Sequence, residues 1–213
     1  MHEIKNHEVF NNITTKEFEA LHAFMHTKNY AKGSILFHMG EEIHNLYIII
    51  RGEIEICSYD INGNKKLVTL LSENDMFAES VALGKHHRTP FDIIATKNLR
   101  VLEISSNAIF QVNTKISQNI ISILATKNAF LTHKIECLNK ITIKERIFEV
   151  LTFYCVKRQS YSFKLPFNKT QLAEYLCVNR SSLSRELSQM EKKGIFRSDK
   201  QTYHLNTDFF KML

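Results

Sequence analysis

The stretch Asn168-Lys-Thr-Gln-Leu-Ala-Glu-Tyr-Leu-Cys-Val-Asn-Arg-Ser-Ser-Leu-Ser-Arg-Glu-Leu-Ser-Gln-Met-Glu-Lys-Lys193 reads as two short amphipathic helices joined by a tight turn. Asn168, with Gln171 three residues on, has the spacing of a capping box, in which each side chain takes up the other's free backbone N–H. Leu172, Ala173 and Leu176 form the inward face of the first helix, and the small Ala173 lets a second helix cross closely. Asn179 stands at the second N-cap, where its side chain is expected to accept from a free amide of the next turn. Leu183, Leu187 and Met190 then recur at i, i+4 and i+7, so that face must meet a core.

The opposite face carries Ser181, Arg185, Ser188, Gln189 and Lys192, with Arg180 and Ser184 beside it. It holds cations and hydroxyls but no carboxylate and no apolar side chain, which suits a polyanion. A helix start bearing Arg180, Ser181 and Ser182 can meet phosphates, and Arg185 can reach a guanine edge. Lys169 and Thr170, opening the first helix, are placed for backbone phosphates. A solvated helical hairpin also carries charge outside. The coincidence of caps, small crossing residue and basic face favours a DNA-reading helix-turn-helix.

The charge of the whole chain agrees. Of a formal net charge of +6, residues 1–138 hold 14 Lys/Arg against 15 Asp/Glu, whereas residues 139–213 hold 14 against 7. The excess positive charge therefore sits with the helix-turn-helix, the footprint of a nucleic-acid module. No run of 18 apolar residues predicts a membrane span, and the first residues lack a signal peptide's apolar core, so a cytoplasmic protein is expected. Cys57, Cys137, Cys155 and Cys177 are widely spaced and fit reduced thiols better than a disulfide frame or a zinc site.

Towards the N-terminus, residues 13–27 read as a helix with Thr14 and Glu17 as a capping box and Phe18, Leu21 and Met25 inward. His22 and His26 are spaced i, i+4, and His86-His87 form a second pair. Whether either pair holds a metal or haem stays open, and no metal site is assigned. From 30 to 105 the hydrophobic period changes to two, and five of the six glycines fall there. Ser34–Phe37, Leu46–Arg51, Glu53–Cys57, Lys66–Leu71, Phe91–Thr96 and Arg100–Ile104 are predicted strands, with a turn at Asn62-Gly63. Many short strands imply an antiparallel roll or barrel. Residues 115–138 then predict a long helix. Ile121, Asn128 and Ile135 take one heptad position, with Leu124, Leu131 and Leu138 three residues after each, the pattern of a parallel two-stranded coiled coil. A helix packed on its own roll would use an apolar stripe too. Asn139-Lys140 breaks the pattern, Thr142 with Glu145 caps a further helix, and Ile195–Ser198 with Thr202–Leu205 form a wing hairpin.

Leu176-Cys-Val-Asn-Arg-Ser-Ser-Leu-Ser-Arg-Glu-Leu187 resembles the recognition motif of the Crp/Fnr transcription regulators, the bacterial catabolite activator and its relatives. Arg180 and Arg185 match the family's DNA-contacting arginines, and Ser184-Arg185 is similar to the fumarate–nitrate branch. Ser181 replaces a glutamate that reads cytosine in well-known members, and Cys177 replaces a turn glycine. Gly33-x-x-Leu36, Gly40, Leu46-Tyr47-x-x-x-x-Gly52 and Phe77-Ala78-Glu79 resemble the cyclic-nucleotide-binding jelly roll.

The resemblance implies an effector pocket at Glu79, Ser80, Arg88, Thr89 and Thr132. In cyclic-AMP-binding relatives a glutamate at the position of Glu79 binds ribose, and an arginine and a serine bind the cyclic phosphate. Thr89 and Pro90 stand at those two positions here, and Arg88 is one residue out of register. In an extended segment one residue of shift moves a side chain to the opposite face, and Pro90 has no N–H for an oxyanion. Thr132 falls where relatives place a helix hydroxyl, but Leu131 replaces its neighbour. The effector is therefore expected not to be cyclic AMP. A cluster-type oxygen sensor needs several cysteines near its N-terminus, and the first here is Cys57.

The expected fold is α+β: a sensing β-roll with an N-terminal helix over 1–114, a dimerisation helix and hinge over 115–139, and a winged helix-turn-helix over 140–213. The expected function is a homodimeric transcription regulator binding an inverted-repeat operator in double-stranded DNA. An unidentified small effector governs it, any cofactor is unknown, and RNA polymerase is a further partner. The alternative is a cyclic-nucleotide-type ligand-binding signalling module that does not act through DNA. No phosphate-cradling glycine loop or nucleophile–base pair suggests an enzyme.

Overall fold

The computed structural model describes residues 4, 5, 7–112, 114–206, 208 and 209, with side chains left out at 110–112 and 114. The chain groups into two units: Met1–Asn64 with Val68–Ala129, and Lys65–Leu67 with Phe130–Leu213. After a 3-10 turn at Glu8–Phe10 come α1 (Thr15–His22), β1 (Met25–Tyr30), β2 (Ile35–Phe37), β3 (Asn45–Arg51), β4 (Glu53–Tyr59), β5 (Lys65–Ser72) and β6 (Met76–Phe77). They are followed by α2 (Glu79–Ala82), β7 (Asp92–Ala95), β8 (Leu99–Ser105), α3 (Ser106–Val112) and α4 (Thr114–Asn139).

The strands form two four-stranded sheets, β1-β8-β3-β6 and β2-β7-β4-β5. Alternation along β8 shows how the layers are built. Leu99 and Val101 face the second sheet with Ile49, Ile54 and Ile93. Leu102 and Ile104 face a helical layer supplied by Leu21, Ala108, Ile116 and Ile120. One strand thus contributes to two cores, because successive side chains point to opposite faces. Glu103, buried at 7% exposure, accepts from the Tyr47 hydroxyl (2.9 Å) and the Asn45 amide (2.8 Å) and pairs with Lys28 at 2.8 Å. Burial pushes its carboxyl pKa up, but these three partners outweigh it and hold the group below its ordinary value.

The N-terminal helix is shorter than its sequence suggests. The Thr14–Glu17 capping box is present, but α1 stops at His22, and Met25–Tyr30 pairs with β8 from Met25↔Ile104 to Tyr30↔Leu99. Pairing overrides local preference here, since the open edge of β8 offers hydrogen-bond partners to the backbone groups of β1 that face it. His22 and His26 accordingly lie on different elements and not on one helical face. The six strands read from the sequence are present with ends shifted by a residue or two, whereas β1 and β6 are additional. The Asn62-Gly63 turn is a five-residue loop in which Asp60 Oδ1 accepts from the N–H groups of Asn62 (2.9 Å) and Asn64 (3.0 Å), and Gly63 takes φ 78°.

The second unit takes in the end of α4, α5 (Ile143–Arg158), β9 (Ser162–Lys164), α6 (Lys169–Tyr175), α7 (Arg180–Lys192), β10 (Phe196–Asp199) and β11 (Thr202–Leu205). The wing hairpin lies one residue later in its first strand than the sequence indicates, and β9 extends it to a sheet of order β10-β11-β9. Thr142 and Glu145 make the expected capping box of α5. Ile147, Leu151 and Tyr154 of α5 are buried, as are Leu172, Leu183, Leu187 and Met190 of the two helices that follow.

Lys134, at 9% exposure, lies buried in this unit. Its ammonium donates to the Leu67 carbonyl (2.7 Å) and stands 4.1 Å from the centre of the Tyr175 ring, at the end of α6. Burial pushes its pKa down to about 8. The folded state therefore releases this proton earlier than the unfolded chain does, and between pH 8 and the ordinary lysine value near 10.5 the unfolded state binds more protons. The contribution of Lys134 to unfolding free energy should rise with pH across that window because a buried charge is relieved. Lys134→Met should remove that contribution. Denaturant melts of both proteins at pH 7.5 and 10.5 should show the wild type gaining about 2 kcal/mol on the variant.

Candidate nucleic-acid interface and effector cassette

Polar contacts fix the start of α6, the turn after it and the C-terminal part of α7. Asn168 Oδ1 accepts from Gln171 N (3.0 Å), and Gln171 Oε1 accepts from Asn168 N (2.9 Å), the expected capping box. Between the helices Cys177 adopts φ 53°, the left-handed conformation that a glycine takes without strain. Arg146 of α5 clamps this turn: Nη1 donates to the Leu176 carbonyl (2.9 Å) and Nε to the Lys140 carbonyl (3.0 Å). Asn179 occupies the N-cap of α7 with extended backbone, but its side chain makes no cap hydrogen bond, contrary to expectation. The first amides of α7 therefore lack that internal acceptor. Glu191 Oε1 accepts from Ser198 N (2.7 Å) and ties α7 to the wing.

Leu183, Leu187 and Met190 are buried along one side of α7, and Arg180, Ser181, Arg185, Ser188 and Gln189 are exposed along the other. Ser182 and Ser184 are half-buried at the margins, and Lys169, Thr170 and Asn179 are exposed. Among the described residues, the side chains of Lys169, Arg180 and Arg185 have no carboxylate partner. The Ser188 hydroxyl donates back to the Ser184 carbonyl (2.9 Å), so it faces its own helix. The result is a rigid rod of exposed cations and hydroxyls beside the open N-terminus of α7, an arrangement that takes phosphates and base edges.

In the first unit, Glu79 opens α2 after Ala78, which has φ 63°. Its carboxylate is buried, with 5% side-chain exposure, and Oε1 pairs with the Lys127 ammonium of α4 at 2.8 Å. Lys127 also donates to the Met76 carbonyl, whereas Glu79 Oε2 has no hydrogen-bond partner. Lys127 escaped the sequence reading. Its signal was its phase: it follows Ile116, Ile120 and Ile123 on the buried side of α4, where a lone cation needs a partner.

The segment after α2 carries Arg88, Thr89 and Pro90. Arg88 is exposed and held there, donating to Glu42 Oε1 (2.6 Å) and the Gly40 carbonyl (2.9 Å). Thr89 is buried, and its hydroxyl donates to the Phe91 carbonyl (2.9 Å) and accepts from Phe91 N (3.2 Å). Ser80 is exposed on α2; Thr132 is exposed on α4 within the second unit. Neither the Arg88 guanidinium nor the Thr89 hydroxyl is therefore idle, and Pro90 brings no donor. The rings of His87 and His44 lie with centres 4.8 Å apart, tilted by 47°. Among the described residues no three His, Cys, Asp or Glu side chains could hold a metal ion, and no helix is long and apolar enough to cross a membrane.

Helix α4 has two neighbouring stripes. Ile116, Ile120 and Ile123 pack on the roll. Of the heptad positions, Ile121, Leu131 and Ile135 are 64%, 43% and 61% exposed, Asn128 is exposed, and Leu124 and Leu138 are half-buried. Leu124 also packs against the core of the roll, whereas Ile121, Leu131 and Ile135 of the seam are left largely uncovered.

Residues 27–114 match the cyclic nucleotide-binding domain, and residues 145–208 match the Crp-like helix-turn-helix domain. The cAMP-activated global transcriptional regulator CRP of Pasteurella multocida is 22% identical over 184 residues, covering 83% of this chain and 88% of that protein. Among solved structures, a CooA mutant from Carboxydothermus hydrogenoformans gives a TM-score of 0.72 at 19% identity, over 95% of this chain and 90% of that one. FixK2 from Bradyrhizobium japonicum gives 0.68 at 16% identity, over 88% and 95%. A signalling module with no DNA partner leaves the second domain match unexplained. With a cyclic-nucleotide-binding-type roll and a Crp-like helix-turn-helix in this order, the chain belongs to the Crp/Fnr family of DNA-binding transcription regulators.

Proposed function

We propose that this regulator is a cytoplasmic homodimer that reads an inverted repeat through α7, and that its effector is not cyclic AMP. What carries the DNA contact is the exposed pair Arg180 and Arg185, without carboxylate partners among the described residues, on a helix whose other side is locked into the core. A guanidinium free of carboxylates is available for the two parallel hydrogen bonds that a guanine or a phosphate accepts. The dimer rests on Ile121, Leu131 and Ile135, large apolar side chains left in water on one stripe of α4. Pairing two such helices removes that surface from water on both, and Asn128 can fix their register. Because α4 runs from the first unit into the second, an effector that favours one helix pairing biases the recognition helices, by as much as its affinities for the two states differ. RNA polymerase is the partner that an activating surface would meet.

The curated relative is named for activation by cyclic AMP. The cassette here argues for a different signal. A cyclic phosphate would meet Thr89, whose hydroxyl is already bonded to Phe91, and Pro90, which has no N–H, while Arg88 is held outside by Glu42. The anion would lose water without gaining a partner.

Three outcomes test this. Sedimentation should show a two-fold dimer at micromolar concentration, and Leu131→Glu, which places a charge at the seam, should give monomers with reduced DNA affinity; a monomeric wild type refutes the seam. Operators selected from random DNA should be inverted repeats with half-sites about 10 bp apart centre to centre, or a near multiple. Arg185→Ala should cost about 1–3 kcal/mol and relax preference at one base pair per half-site, whereas Lys169→Ala should weaken all sequences alike and flatten the salt dependence. Calorimetry with cyclic AMP should show no binding tighter than about millimolar, and operator affinity should not respond to it. Micromolar binding that disappears in Arg88→Ala would show that Arg88 swings inward, and would end the case against cyclic AMP.

A further inference from the structure

The β1-β8-β3-β6 sheet is covered by helices along most of one face, and the cover stops before the sheet does. Towards one end that face carries Met25, Leu46, Leu102 and Ile104, all buried. At the other end its residues are Asn29, Arg100 and Arg51, which are exposed and stand side by side on β1, β8 and β3. Arg51 and Arg100 are directly opposed across the antiparallel pair, just beyond a register shift in β3. Like charges directly opposed weaken a sheet. Among the described residues no carboxylate pairs with either guanidinium, although the roll pairs Lys28, Arg88, Lys97 and Lys127 with carboxylates.

These arginines line a cleft of about 980 Å³ that is also bordered by Tyr30, Leu99, Glu73 and the Glu53-paired Lys97. The backbone beneath them is set. Gly52 has φ 105°, and a Cβ there would stand 2.5 Å from the Asn98 carbonyl oxygen, so the chain at Arg51 is pressed against the turn before β8. Two guanidinium forks on neighbouring strands match a ligand with two adjacent anionic groups, each able to accept two parallel hydrogen bonds. A single phosphate leaves most of such a cleft empty, whereas its volume fits a small molecule.

We propose that this cleft is a binding site for a small molecule carrying a pyrophosphate or two neighbouring phosphate groups, held by Arg51 and Arg100. The site uses none of the residues assigned to DNA or to the effector cassette, so it stands or falls independently of them.

The test is calorimetry of the full chain with inorganic pyrophosphate at fixed ionic strength. It compares wild type with Arg51→Ser/Arg100→Ser and with Arg180→Ser/Arg185→Ser, since the helix-turn-helix also attracts polyanions. The first variant should weaken pyrophosphate about tenfold or more, and the second should leave it within about twofold. Without ligand, Arg51→Ser/Arg100→Ser should melt no lower than wild type, because it removes a like-charge contact. Absence of pyrophosphate binding, loss in the helix-turn-helix variant only, or a lower melting point of the unliganded Arg51→Ser/Arg100→Ser protein would overturn the proposal. So would tighter binding of hexaglutamate than of pyrophosphate, which would mark an acidic polypeptide as the occupant.

Discussion

A carboxylate that leaves water must be met by a cation or by donors, and the sensing unit is arranged around one such carboxylate. Glu79 is buried next to α4, and Lys127 of α4 meets it while donating also to the Met76 carbonyl. One side chain thus ties the helix to both the carboxylate and the strand leading into it. Breaking such a pair from one side leaves a charge stranded, so the position of this part of α4 and the conformation of residues 76–79 are coupled. The left-handed Ala78 fits that demand, because it turns the chain so that α2 begins with Glu79 inward. The carboxylate of this cassette thus has an internal partner on one oxygen and none on the other.

The same helix must serve a second surface. With 3.6 residues per turn, the side chains that seat α4 on the roll, Ile116, Ile120, Ile123 and Lys127, leave the stripe of Ile121, Leu131 and Ile135 turned aside. Leu124 belongs to both sets, since it lies on the heptad stripe and packs against the core of the roll. In the proposed dimer the remaining exposed side chains of that stripe can repack against a partner helix while Ile116, Ile120 and Ile123 stay in the core, since packed interfaces move between discrete states.

Legibility in the sequence followed the range of the interactions. Capping boxes at Thr14, Thr142 and Asn168 were readable because both partners lie within three residues of each other. The two helices of the DNA-reading hairpin were readable because their period and caps coincide. β1 was not, since its exposed, polar residues carry no alternation and its strand state comes from β8, some 70 residues away in sequence. The missing side-chain cap at Asn179 also escaped, because residue type fixes what a side chain can bond and not the rotamer it takes. Lys127 and Lys134 escaped for the opposite reason. Each was visible as a lysine, but its burial is decided by partners at Glu79 and Tyr175, which no local pattern links to it. In the cassette, the mismatch at Thr89 and Pro90 was legible, whereas the capture of Arg88 by Glu42 required the fold.

The distribution of paired and unpaired charge ties these observations together. Within residues 1–138 acids and bases are nearly equal in number, and Glu103 pairs with Lys28, Glu53 with Lys97, Glu79 with Lys127 and Glu42 with Arg88. A cation so paired has little left for a second anion. In the C-terminal third, acids that pair or bond inward, such as Glu149 with Lys140 and Glu191 with Ser198, leave Arg180, Arg185 and Lys169 to solvent. Net charge is therefore a weaker guide to anion binding than the identity of the cations left unpaired. By that measure the recognition helix and the Arg51–Arg100 rung share one property, guanidinium groups held on rigid secondary structure without a carboxylate among the described residues. Rigidity matters to both, since an arginine on a strand or helix loses less freedom on meeting an anion than one on a mobile loop. Compensated charge builds this protein, and uncompensated charge on a fixed backbone marks where it meets something else.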